Sequence, residues 1–168
     1  MKKILALILL LTLLCVSVSA EEPADYGFDL DLNKVETDVF SGNKLTVVNV
    51  WGTFCGPCIS EMPFLGTLAS EYALDGVRFI GIVIDATADS SDAAARASAQ
   101  SIIESTGANY LHLLVNEYLY YRFCAQSDYI PMSWFLDENG NPLNEEPIVG
   151  SMDYDTWKNN IEFYLRNR

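Results

Sequence analysis

Two unbroken apolar runs dominate the pattern of the chain. Residues 45–51 (LTVVNVW) and 77–84 (VRFIGIVI) are β-branched and apolar with little alternation, as expected of strands covered on both faces. A third run, residues 132–137 (MSWFLD), leads into the turn Glu138-Asn139-Gly140-Asn141. Residues 143–149 can return as its hairpin partner, and Pro147 favours an edge position for them. Between the strands the period lengthens. Residues 57–72 read as a helix, with Pro57 suited to a first turn. Pro63 lacks an interior N–H and predicts an interruption or kink there. The alanine-rich residues 90–105 predict a second helix, capped by Ser90 or Ser91 and closed by Gly107.

Residues 110–115 suit a short strand, and the aromatic stretch 117–125 suits a helix. A terminal helix over 153–165 starts at a capping Asp153 and carries Tyr154, Trp157, Ile161 and Leu165 along one face. Residues 21–33 read as an acidic, irregular lead-in, and 34–39 as a short strand before the turn Ser41-Gly42-Asn43. This order of elements is that of an α/β fold. A parallel crossover unit followed by an antiparallel hairpin unit implies a mixed central sheet flanked by helices, with an N-terminal strand or hairpin extension.

The first twenty residues change the setting. Lys2 and Lys3 precede an apolar run over 4–14, and Val18-Ser19-Ala20 offers a cleavage site before Glu21. This is the pattern of an export signal, leaving residues 21–168 as one folded domain. The same run can stay as an uncleaved anchor, short for a full span, or Cys15 can carry a lipid. All three readings put the domain outside the cytoplasm. Loss of Lys2 and Lys3 would move the net charge from −13 to −15. Such a surface argues against nucleic acid and anionic lipid as partners, and it reads as a means of solubility ahead of a site for basic partners.

Of four cysteines, Cys15 falls in the leader, so Cys55, Cys58 and Cys124 remain. An odd number in an exported chain excludes a fully paired disulfide framework. Cys55-Gly56-Pro57-Cys58 is the one close pair, and it stands where a helix begins. Free backbone N–H groups and the positive end of the helix dipole stabilise a thiolate there. Cys55, just before the helix, is the expected exposed attacking sulfur, and Cys58, one turn in, the buried resolving one. Two other uses of such a pair exist. Half of a zinc site would need two more ligands, and Cys124 and His112 are not spaced to supply them. A purely structural disulfide closing so small a loop would constrain the unfolded chain little.

The stretch VNVWGTFCGPCISEMP at 48–63 resembles thioredoxin-like proteins of the TlpA/ResA type, and the resemblance extends from about Phe28 to the terminal helix. These are exported or membrane-tethered bacterial thiol–disulfide oxidoreductases. The resemblance implies a thioredoxin fold and reduction of disulfides in exported proteins, in some members apocytochromes c. It implies a membrane electron donor and no cofactor beyond the Cys55–Cys58 disulfide. A monomer is expected. Ile130-Pro131 resembles the cis-proline loop that faces the disulfide and pairs with an extended client. Glu61 matches an acidic residue used beside the disulfide, where a half-buried carboxylate can pass protons to the resolving thiol. Trp51, Phe54, Gly56 and Pro57 complete the expected client surface, with core packing an equal account of Trp51. The sequence departs from the pattern at Ile130-Pro131-Met132-Ser133, where a bulky residue precedes the proline. Cys124, in an aromatic segment, reads as a buried inert thiol, with a second exchangeable sulfur as the sharper alternative. His112 is assigned no role, and Asp85 reads as a strand-end turn residue or as part of the client groove.

Overall fold

A computed structural model describes residues 26–167. The export signal expected over residues 1–20, with Cys15, lies outside the described residues. Among those described, no helix is long and apolar enough to cross a membrane.

The elements follow one another as β1 (Tyr26–Asp29), β2 (Lys34–Glu36), β3 (Leu45–Trp51), α1 (Gly56–Glu71), β4 (Val77–Val83), α2 (Ala93–Thr106), β5 (Leu111–Leu114), α3 (Glu117–Leu119, continuing as a π turn over Tyr120–Cys124), β6 (Met132–Leu136), β7 (Ile148–Val149) and α4 (Tyr154–Arg166). One sheet takes all seven strands in the order β2-β1-β5-β4-β3-β6-β7. Strands β3, β4 and β5 are mutually parallel, and β6 runs antiparallel to β3. The hairpin β1–β2 adds to the sheet through β5 and forms the expected N-terminal extension.

The period of two along β3 divides its side chains. Val48 and Val50 join Ile80, Ile82, Met132 and Trp134 in a core closed by Phe40, Leu119 and Phe123. Leu45 and Val47 face the other way, against Leu65 and Leu68 of α1 and Trp157 and Ile161 of α4. Asn49 and Trp51 lie on this second face by the same alternation. Both faces of the central strands are covered, so their sequence reads as continuous apolar runs. At 25 cal/mol per Å², burying one such Val or Leu stabilises the fold by about 1.5–3 kcal/mol.

Four local expectations change. Residues 26–29 of the supposed lead-in are strand β1, because their main chain pairs with both β2 and β5. Asp89, not Ser90 or Ser91, caps the first turn before α2: its carboxylate accepts the Ser91 N–H at 2.8 Å, and a 3₁₀ turn over Ser90–Asp92 leads into the helix. Helix α1 runs unbroken through Pro63, which sits on the solvent side where water can take the carbonyl it leaves unpaired. The return strand shrinks to Ile148–Val149, opposite Met132 and Ser133, at the edge where Pro147 allows it.

Gly81 of β4 stands opposite His112 of β5, and a Cβ at Gly81 would overlap Nδ1 of the imidazole. The ring therefore occupies the space a side chain would take. Gly81→Ala should destabilise the protein by roughly 1–3 kcal/mol through overpacking. Urea unfolding should show a lower midpoint with an unchanged slope, and an unmoved midpoint would mean that the ring swings aside without loss.

Candidate active site

Strand β3 ends at Trp51, and a turn over Gly52–Cys55 hands the chain to α1, with the Cys55 N–H donating to the Gly52 carbonyl at 3.0 Å. Cys55 is the N-cap of α1. Its sulfur accepts the Cys58 N–H at 3.2 Å, and Pro57 fills the first turn without a missing bond. Cys55 and Cys58 form a disulfide with Cα atoms 5.3 Å apart. No acidic residue sits in that first turn, so the helix end faces the sulfur unopposed. Cys58 is fully buried and Cys55 is 6% exposed. The expected order of access holds, but Cys55 is tucked in rather than exposed.

What covers it is the loop predicted to face it. The Ile130–Pro131 bond is cis, and Cys55 Sγ lies 3.8 Å from the Ile130 carbonyl oxygen. The Pro131 carbonyl is already taken by the Gly150 N–H at 2.8 Å. The main-chain acceptor beside the sulfur is thus that of Ile130. Phe54 projects into solvent at 72% exposure. Its ring edge and the Ile130 side chain both close on Gly52, where a Cβ would come within 2.9 Å of Phe54 Cε1 and 3.3 Å of Ile130 Cδ1. Gly56 and Pro57 are exposed beside them. Trp51 is different: it is fully buried, packed with both cysteines, and its indole cannot meet a client directly. Of the two readings open for Trp51, the client surface is corrected and core packing, beneath the disulfide, is the one the structure takes, because the strand alternation turns it inward.

Glu61 is buried at 1% exposure, not half-buried. Its Oε1 accepts from Asn49 Nδ2 at 3.1 Å, and its Oε2 accepts from the Met152 N–H at 2.9 Å and Trp157 Nε1 at 3.0 Å. Burial raises its pKa above the ordinary carboxylate value, and the three donors pull it back only in part. Its hydrogen bonds run to β3, α4 and the loop before α4, and neither sulfur is among the partners. Asn49 Nδ2 also reaches Ser133 Oγ at 3.3 Å, which ties β6 into the same network.

His112 carries more than the sequence suggested. Its Nδ1 accepts from Trp51 Nε1 at 3.1 Å, and its Nε2 lies 2.9 Å from the Ala108 carbonyl, which together define a neutral ring protonated at Nε2. Tyr110 stacks on it with centroids 4.4 Å apart. Burial pushes the imidazole pKa down to about 4, partly opposed by the Ala108 carbonyl. Cys124 is buried, donates to the Leu119 carbonyl, and is pushed up to about 12 by burial. It packs into the core, where its aromatic surroundings predict it. Asn49 was the readable clue to the polar network, as the one amide in an apolar run. Nothing in the spacing pointed to Trp157 or Ser133.

A mixed sheet between helices, a cysteine pair capping one of them and a cis-proline loop against the pair together define a thioredoxin-fold domain. The Redoxin family profile matches residues 18–119, and the chain belongs to that family, among its thioredoxin-like members of the TlpA/ResA type. The thiol-disulfide oxidoreductase ResA of Bacillus thuringiensis subsp. konkukian is 36% identical over 72 residues, 43% of this chain and 41% of that protein. The chain thus spans about two-fifths of the length of the ResA relatives it matches. A thioredoxin of Mycobacterium bovis is 49% identical over 39 residues, 23% of this chain and 34% of that one. Among solved structures, a thioredoxin-family thiol:disulfide interchange protein of Chlorobium tepidum superposes with a TM-score of 0.69 at 23% identity, covering 85% of this chain and 94% of that one. A secreted Mycobacterium tuberculosis disulfide oxidoreductase homologous to Escherichia coli DsbE gives 0.63 at 19% identity, covering 82% and 94%. At these identities the structural likeness is one of fold.

The neutral burial of His112 sets a pH dependence of stability. The unfolded chain protonates this ring below its ordinary value of 6.5, whereas the folded chain resists until about 4. Its contribution is therefore complete above pH 6.5 and falls as the pH drops, by about 3 kcal/mol at pH 4. Glu61 acts in the opposite sense, since its raised pKa makes the folded state take up a proton first. Comparing the protein with His112→Phe cancels that second effect. In urea titrations the stability gap between the two should change by about 3 kcal/mol between pH 6.5 and 4, and parallel curves would exclude the imidazole as the cause.

Proposed function

We propose that this chain is a thiol–disulfide oxidoreductase acting outside the cytoplasm, with reduction of disulfides in exported proteins as its direction. One observation carries the reading. An oxidisable pair caps α1, with the Cys58 N–H directed at the Cys55 sulfur and the Ile130 carbonyl 3.8 Å from it. A structural cross-link over three residues would add little stability and would not need that placement.

In the reduced protein the Cys55 thiolate attacks one sulfur of a client disulfide. An S–S bond forms between protein and client, and the other client sulfur leaves as a thiolate and takes up a proton. The Cys58 thiolate then attacks Cys55 Sγ. The Cys55–Cys58 bond forms, the mixed disulfide breaks, and the second client sulfur leaves. Two electrons have passed to the client, and the protein is left oxidised, as seen here. An external dithiol must restore it. The helix end and the Cys58 N–H favour the attacking thiolate. The Ile130 backbone, Phe54, Gly56 and Pro57 would hold an extended client segment across the sulfur, in the manner of strand addition. The charged leader, the apolar run and the ResA relatives support a place outside the cytoplasm. The resemblance to the TlpA/ResA type implies a membrane-bound electron donor and clients such as apocytochromes c. Glu61, one turn beyond Cys58 on the same helix and above its ordinary pKa, would exchange a proton with the resolving thiol as that sulfur changes state.

The deciding measurement is the reduction potential of the Cys55–Cys58 couple in glutathione or dithiothreitol buffers. A value near or below about −270 mV supports a reductase, one near −120 mV makes the protein an oxidant, and no reversible couple leaves a client-binding module. Separately, Glu61→Gln should remove one ionisation from the pH profile of disulfide exchange. An unchanged profile would leave Glu61 a purely structural tie between α1, β3 and α4.

A further inference from the structure

The turn that presents Cys55 is gripped from the side. Both carboxylate oxygens of Asp85 accept the Thr53 N–H, at 3.0 and 3.1 Å, and the Thr53 hydroxyl donates a short hydrogen bond to the same carboxylate. Asp85 itself is well anchored. On one flank the Ile84 N–H donates to the Trp51 carbonyl at 2.9 Å, and on the other the Val115 N–H donates to the carbonyl of the fully buried Ala86 at 3.1 Å. The main chain on both sides of Asp85 is thus held in place, and the side chain reaches Thr53 from a fixed point. Thr53 lies between Gly52, on which Phe54 and Ile130 close, and Phe54 itself. Cys55 follows one residue later.

We propose that Asp85 is a positioning residue for disulfide exchange, which acts through Thr53 to hold the Phe54–Ile130 slot in shape and Cys55 in line with a client bound there. The proposal rests on the reading of the chain as a thiol–disulfide oxidoreductase. A residue that merely ended β4 would need no such convergence on the residue two before the attacking sulfur. Asp85 touches neither sulfur. Its effect is on the fraction of molecules whose turn is ready, and so on clients that must lie across the slot. A small reagent that reaches the sulfur without using the slot feels it less.

The test uses the full chain with Asp85→Ala, Asp85→Asn, Thr53→Val and the double variant Asp85→Ala/Thr53→Val, each checked by thermal melting. Two rates are compared for the reduced protein: attack on a disulfide-bridged peptide, and alkylation of Cys55 by iodoacetamide. Asp85→Ala should slow the peptide reaction about tenfold and Thr53→Val about threefold, while the double variant is no slower than Asp85→Ala. Asp85→Asn, whose amide can meet both the N–H and the hydroxyl of Thr53, should recover most of the loss. Alkylation should stay within about 1.5-fold of the parent rate throughout, clearly short of the loss in the peptide reaction. Should Asp85→Ala fail to fold, Thr53→Val decides alone, since it keeps the shape and the N–H bond. Any one of three results overturns the proposal: peptide rates unchanged in folded variants, Asp85→Asn as slow as Asp85→Ala, or alkylation falling by the same factor as the peptide reaction. A parent protein inert toward the peptide would overturn the underlying functional reading, and it would show before any variant is compared.

Discussion

The site depends on a helix cap made by a sulfur atom. The first turn of any helix leaves backbone N–H groups without partners, and serine, threonine or aspartate oxygens usually take them. Here the Cys55 sulfur accepts the Cys58 N–H, so the group that ends the strand-to-helix turn is also the one to which the proposed exchange assigns the attack. The cap fixes where α1 begins. That in turn fixes Cys58 one turn in, Glu61 a further turn on, and Met62, Leu65 and Leu68 toward the sheet. The chemistry and the packing of this helix share a single starting point.

Glu61 extends that register into the core. A carboxylate at 1% exposure is costly unless donors surround it, and it takes one each from Asn49, Trp157 and the main chain of Met152. Each donor comes from a different part of the fold, so β3, α1 and α4 are held to one mutual arrangement. The pKa of Glu61 stays raised because desolvation outweighs these bonds. Through this group the helix that Cys55 caps is tied to the packing of α4.

Much of this was legible in the sequence because it follows from local rules. Strand β3 runs over the seven residues of LTVVNVW, as both faces are covered and the apolar run has no reason to break early. Asp153 caps α4, and Gly107 ends α2 in the left-handed conformation, each by its own side-chain or backbone preference. The cysteine pair, its helix and the cis bond at Ile130–Pro131 were anticipated from the motif and the resemblance. What escaped is long-range. His112 is 61 residues from Trp51 in sequence, and Trp157 is 96 from Glu61, so no spacing rule links them. For Trp51 the sequence left client surface and core packing level, and strand alternation decides for the core, beneath the disulfide. Asp85 looked like a turn residue because its role depends on where the β3 turn lies in space.

The meeting of Gly81 with the His112 ring has a historical consequence as well as a structural one. In this packing a side chain at the first position and an imidazole at the second compete for one space. A mutation that gives the first a side chain must evict the imidazole, and with it the acceptor of the Trp51 indole; a mutation that removes the imidazole opens a hole that the first is then free to fill. Descendants of this chain should inherit the two together or exchange them together, and the tryptophan under the disulfide would feel either change.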